Sequence, residues 1–238
     1  MRLKFLLTAL TITSLNTSIS FNPSAFAFVS PLSMQQDNQS KFQLSLLGNL
    51  QQMLGRRLPR PRISRGFICP LSPGIIGSSR IWNDRPLFLW GGDATHITLT
   101  ALDNPELKLI DHALETTDTY FQYEGSALQP GQFYQWTLSI SSQSSVSSVS
   151  FTFQAMDSPE RDTLGEELQK IEKQVNEPEA IAISQVQYFA GQDFWSDAIQ
   201  RLYQIESPSI EVKQSQTEIS AHFCPIQSTA STAKNNQY

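Results

Sequence analysis

The stretch Leu128-Gln129-Pro130-Gly131-Gln132-Phe133-Tyr134-Gln135-Trp136 decides how this chain is read. Pro130 has its φ set by its own ring, and Gly131 is free to take φ > 0, so the pair makes a tight turn. Leu128 is placed to plug the end of a core. Tyr134, three residues after the glycine, is positioned to hydrogen-bond backbone a few residues upstream, as in a tyrosine corner. Beyond it, Tyr134, Trp136, Leu138 and Ile140 alternate with Gln135, Thr137 and Ser139. A period of two is that of a strand with one buried face.

Working outward, the same period holds from Gly66 to Met156. Arg85 to Trp90 reads as a strand closed by the turn residues Gly91, Gly92 and Asp93. Ile97, Leu99 and Ala101 alternate with His96, Thr98 and Thr100. Asp103-Asn104-Pro105 is a turn, Leu107 to Ile110 a brief strand, and Tyr120 to Tyr123 another. A serine-rich loop, Ser141 to Ser148, precedes Val149, Phe151, Phe153 and Ala155. About six or seven short strands with frequent turns, and no helix between them, predict an immunoglobulin- or fibronectin-like antiparallel sandwich over residues 66–156. Trp136 should pack centrally, with Trp90 as its partner. Aromatic rings of this kind bury ~150–250 Å² each, and these are assigned to the core. Trp82 precedes the strand pattern and is the candidate for an exposed aromatic platform.

After Met156 the period becomes 3.6. Ser158-Pro159-Glu160 supplies an N-cap, a proline at N1 and an acid in the first turn. Leu164, Leu168, Ile171 and Val175 share one face. Pro178 opens a second helix that points Ile181, Ala182, Val186 and Phe189 inward and stops at Gly191. Asp193 is read as the cap of a third, gathering Trp195, Ala198, Ile199, Leu202 and Ile205. The predicted organisation is thus mainly β with a helical C-terminal part, a two- to three-helix hairpin over 157–208. Such a hairpin cannot bury both faces alone and must lean on the sandwich or on another protein. A polar tail is expected over 209–238.

The N-terminus has the order of a secretory signal: basic Arg2 and Lys4, an apolar run from Phe5 to Ile12, and Ala25-Phe26-Ala27 as the cleavage site, with cleavage expected after Ala27. The apolar run is too short to span a bilayer of ~30 Å. Residues 28–65 read as a disordered or weakly helical basic leader. Arg56, Arg57, Arg60, Arg62 and Arg65 lie in a segment without acids, whereas the chain from Gly66 onward is strongly acidic. That run suits a solvated linker, or docking on that acidic body, on an anionic glycan or on lipid head groups. Nucleic acid does not fit an exported chain with a pI of about 5.2. The two cysteines, Cys69 and Cys224, sit in similar Phe-x-Cys-Pro or Phe-Cys-Pro settings. In an oxidising compartment they are either bonded to each other or buried separately.

Taken in order, Ser64-Arg65-Gly66 with Cys69-Pro70, Pro86 to Trp90, Leu128 to Trp136, and Gly191 with Trp195-Ser196-Asp197-Ala198 and Leu202 resemble a cyanobacterial family of secreted proteins, domain of unknown function nine-two-eight. The resemblance covers about residues 56–208. It implies an exported protein of this architecture and brings no activity, substrate or catalytic residue. The family often carries a cysteine soon after the Tyr-x-Trp strand, where this chain has Ser141 and Ser142. Cys224 is the substitute this resemblance implies for that partner.

No nucleophile elbow, His-Glu-x-x-His or phosphate loop is present. His96, His112 and His222 are scattered, with His112 beside Asp111 read as a loop pair. Asp93, Asp103 and Asp118 offer oxygen ligands of the kind Ca²⁺ takes, and turn chemistry accounts for them equally. Neither metal nor cofactor is expected. The sequence points to a non-catalytic exported module, periplasmic or secreted, that engages another exported or envelope protein. The alternative is a carbohydrate or extracellular-matrix binder. The candidate interaction residues are the leader arginines, Trp82 and Trp195.

Overall fold

Eight strands followed by four helices make up the computed structural model, which describes residues 68–141 and 146–224. The strands are β1 Ile68–Ser72, β2 Arg80–Ile81, β3 Leu87–Gly92, β4 His96–Ala101, β5 Asn104–Ala113, β6 Tyr120–Gln122, β7 Phe133–Ser141 and β8 Val146–Ala155. The helices are α1 Ser158–Gln174, α2 Pro178–Gly191, α3 Trp195–Tyr203 and α4 Ile210–Phe223. One sheet has the order β1-β3-β6 and the other β2-β8-β7-β4-β5. All pairings are antiparallel except β2 with β8, which is parallel. That short parallel step corrects the purely antiparallel expectation.

The corner at Leu128–Trp136 forms as read. Gly131 has φ 78°. Tyr134 Oη accepts the Gln129 N–H at 2.8 Å and donates to Gln132 Oε1 at 2.9 Å. Leu128, Tyr134 and Trp136 are buried, and Pro130 lies at the exposed tip of the turn. The rings stacked around Trp136 differ from expectation. Phe88 meets it edge-on with centroids 5.3 Å apart, and Phe151 lies at 5.7 Å. Trp90 is buried in the same core but is not among its ring neighbours. Successive side chains of β3 point to opposite faces, and Phe88 holds the central place.

Two cores lie on either side of the three-stranded sheet. Phe88 and Trp90 pack with Ile97, Leu99, Trp136, Leu138 and Phe153 between the sheets. Leu71 and Leu89 pack with Met156, Leu168, Ile183, Phe189, Trp195, Leu202 and Phe223 beneath the helices. The sheet is therefore the middle layer of three. A strand covered on both faces has no polar phase, and β1 is buried at all five positions. This is why β1 escaped a period-two reading, and why β3 is a continuous apolar run.

Other boundaries move for local reasons. Gly91 and Gly92 belong to β3 rather than to a turn. Of Asp103-Asn104-Pro105 only Asp103 stays in the β4–β5 turn, beside Leu102, and β5 runs through Asn104 and Pro105, as an edge strand tolerates proline. The serine loop is shorter than read: Ser141 pairs with Val146, and Ser147 and Ser148 lie inside β8. Asp157, not Ser158, is the N-cap of α1. Asp193 does not cap α3. It takes φ 66°, a left-handed conformation that aspartate tolerates, and Phe194 occupies the cap position. The segment read as the start of a polar tail carries α4, capped by Ser209, whose Oγ accepts the Val212 N–H at 3.3 Å. Val212, Ile219 and Phe223 make its buried stripe.

Candidate functional site

The junction between helices and strands is built from backbone amides that lack a strand partner. Residues 82–87 lead into β3, and α3 serves them with two side chains one turn apart. Asp197 Oδ2 accepts the Trp82 N–H and Oδ1 the Asn83 N–H, both at 2.9 Å. Gln200 Oε1 accepts the Leu87 N–H at 3.0 Å, and its Nε2 donates to Arg85 O at 2.9 Å. Ser196 Oγ accepts the Gly74 N–H at 2.9 Å. Spacing i, i+3 places Asp197 and Gln200 on one helix face. Asp197 is 3% exposed, and burial raises its carboxyl to about 6 despite the two N–H bonds and the nearby Arg161 guanidinium. Both oxygens are spent on structure, so this acid is a clamp and not a free base.

A second clamp closes the far end. Cys69 and Cys224 form a disulfide with Cα atoms 5.8 Å apart. It ties the end of α4 to β1 and passes over Gly91, which pairs with Cys69 across the β1–β3 ladder. A Cβ on Gly91 would stand 3.1 Å from Cys224 Cβ. A side chain at this position would have to push the Cys224 side chain aside by a few tenths of an ångström.

The predicted interaction residues fall differently. Trp195 is 2% exposed and lies in the helical core, which removes it as a contact residue. Its apolar ring is spent in the core that α3 shares with the sheet and the other helices. Trp82 is half-buried and is not a surface platform. Its indole N–H donates to Arg161 O at 3.0 Å, Phe189 lies at 5.7 Å, and the Arg161 guanidinium carbon is 6.0 Å from the ring centroid. Arg161 also bonds Asp84 at 2.6 Å. Arg56, Arg57, Arg60, Arg62 and Arg65 lie outside the described residues.

The histidines also part from expectation. His96 Nε2 and Lys108 Nζ both bond Asp111, at 2.7 and 2.8 Å. Lys108 first, and then His96, holds the Asp111 carboxyl below its usual range. His112 instead lies tilted against Phe121, with ring centroids 5.0 Å apart. Asp103 and Asp118 are engaged in local bonds to Gln132 Nε2 and the Glu115 N–H. Among the described residues no three His, Cys, Asp or Glu side chains gather to hold a metal ion.

Openings lie on two sides of the described residues. On one side, the sheets end at β5 and β6, each paired on one edge only. Between them lies an open groove of about 660 Å³ lined by Leu109, His112, Asp118, Tyr120, Phe121 and Tyr123. Of its lining Tyr120 is 58% exposed, and Leu107, two residues before Leu109 on β5, is 56% exposed. Edge strands alone would have suggested this groove, but no short motif marks it. The second opening, about 380 Å³, lies between α1, α2, α3 and the Trp82 loop.

No helix among the described residues is long and apolar enough to cross a membrane. Compared with models of protein families and with curated proteins, the chain matches none.

Proposed function

We propose that this protein is an exported, non-catalytic interaction module whose β5 edge captures an extended segment of another exported or envelope protein. The carrying observation is the unpaired edge of β5, ten residues long and bonded to β4 alone. Such an edge presents a row of backbone donors and acceptors that an incoming strand completes. The β5–β6 groove would receive alternate side chains of that strand, with Phe121 and His112 as its floor. The disulfide supports an oxidising compartment, in line with the signal-like N-terminus. The strand order 1-3-6 and 2-8-7-4-5, with the tyrosine corner at the entry to β7, supports an immunoglobulin-like sandwich. Membership of the secreted family named above stands with this reading.

The test pairs crosslinking in cells and affinity capture from the exported fraction with the variant Leu107→Lys/Tyr120→Lys. Support is a single protein captured by the native chain and lost with the variant, with β5 amides protected from hydrogen exchange on binding. Recovery of no protein by the native chain, alongside saturable polysaccharide binding, sinks the reading.

A further inference from the structure

The second opening has a different chemistry from the β5 edge and is built from different residues. We infer that the cleft between α1, α2 and the Trp82 loop is a binding site for a small neutral saccharide of one or two rings. Its volume of about 380 Å³ is at the lower end of the ~300–1,000 Å³ range of small-ligand sites.

The wall is a relay of polar groups with unspent valences. Gln185 is 4% exposed and bridges two charged side chains, its Oε1 accepting Arg201 Nε at 2.5 Å and its Nε2 donating to Glu172 Oε1 at 3.0 Å. The amide is held at both ends, so Glu172 and Arg201 are fixed relative to each other. Glu172 keeps Oε2 as an acceptor, and the two Arg201 Nη groups have no partner among the described residues. The Gln204 and Asn83 amides add to the lining. Glu172 and Arg201 offset each other in charge, and the Asp197 carboxylate in the same lining has both oxygens held by backbone N–H groups.

An uncharged ligand rich in hydroxyls matches fixed donors and acceptors in which the Glu172 and Arg201 charges offset each other. Each hydroxyl donates once and accepts twice. Trp82 completes the chemistry. Its N–H is committed to Arg161 O, so what this half-buried residue adds to the lining, beside Phe189, is ring carbon, apolar surface of the kind that meets sugar C–H groups. An anion would meet Glu172, and a cation would meet Arg201.

Gly165 supplies a lever for the test. It lies mid-helix in α1 on the cleft wall, and a Cβ there meets nothing within 4 Å. A side chain can therefore start there without a clash at its Cβ, and replacing a mid-helix glycine favours the helix.

The experiment titrates the full native protein and Gly165→Leu, by tryptophan fluorescence and calorimetry, with glucose, galactose, N-acetylglucosamine, cellobiose and maltose. Glutamine is the zwitterionic comparator. The expected result is saturable one-site binding of at least one saccharide, weakened by about ten-fold or more in Gly165→Leu as occlusion of a small pocket requires. The variant's melting temperature should be unchanged or raised. Glu172→Gln should weaken binding too, and Leu107→Lys should leave it alone. Three results overturn the inference: no saccharide binds, binding survives Gly165→Leu, or glutamine alone binds. Failure here leaves the β5 edge untouched, because the two sites share no residue.

Discussion

Asp197 holds the backbone of Trp82 by a carboxylate oxygen that sees almost no water, at 2.9 Å from the amide nitrogen. The same carboxylate holds Asn83 by its other oxygen. One buried acid thereby fixes the loop that leads into β3 and docks α3 on the sheets.

That clamp predicts a pH dependence. The Asp197 carboxyl is raised from 3.8 to about 6 by burial. A folded value above the unfolded one means that the folded state binds the extra proton. The contribution is therefore full below the unfolded value of 3.8 and is lost as pH rises through about 6. Between pH 7 and pH 5 the native protein should gain about 1 kcal/mol relative to Asp197→Asn, which does not titrate there. Urea unfolding of both proteins at the two pH values measures this. A difference that stays constant would place the carboxyl in its ordinary range.

Gln200 predicts a larger loss without pH dependence. Gln200→Met keeps the side-chain length but strips the partners of the Leu87 N–H and Arg85 C=O. Leaving two such groups unpaired at the junction should cost roughly 2–4 kcal/mol. Chemical denaturation reads it, and hydrogen exchange should show the Leu87 amide opening first.

The disulfide closes a loop of 155 residues in sequence. Breaking a crosslink of this kind typically costs ~2–5 kcal/mol. Cys69→Ser/Cys224→Ser should melt well below the native protein. Without reduction, the unfolded native chain should show no mass shift on alkylation. A shift would show free thiols.

The corner gives a fourth outcome. Tyr134→Phe keeps the stacked contact with Phe153 at 5.6 Å and removes the hydroxyl that serves Gln129 and Gln132. The expected loss is about 1–2 kcal/mol, since the Gln129 N–H is left without its acceptor. A neutral substitution would mean that water replaces the hydroxyl.

Much of the strand half was legible because one face of β4, β7 and β8 is wet. Ile97, Leu99, Trp136 and Leu138 are buried while their neighbours are not, and this writes a period of two into the sequence. The corner was legible for a stricter reason. Proline, glycine and tyrosine each have local stereochemical demands that hold wherever the chain goes. The helices were legible from a 3.6 period and from their prolines, though Val212, Ile219 and Phe223 form a stripe too sparse for α4 to be noticed.

The sites were less legible, since their residues are far apart in sequence and carry no motif. Asp197 looks like any helix acid until 115 residues of chain return Trp82 to it. Glu172, Gln185 and Arg201 come from three helices and become a wall only when those helices pack. Trp82 and Trp195 show the same limit. Sequence marks a large aromatic as important, but only packing decides which side of it is wet. From the residues alone come the strands with one wet face, the first three helices and the corner, because those follow from local stereochemistry and periodicity, whereas β1, β2 and α4 do not. The tertiary structure decided the three-layer stacking, the acid clamp, the cysteine pairing, the open β5 edge and the cleft. Each of those depends on which distant surfaces meet, and that is settled by the burial of apolar area over the whole chain.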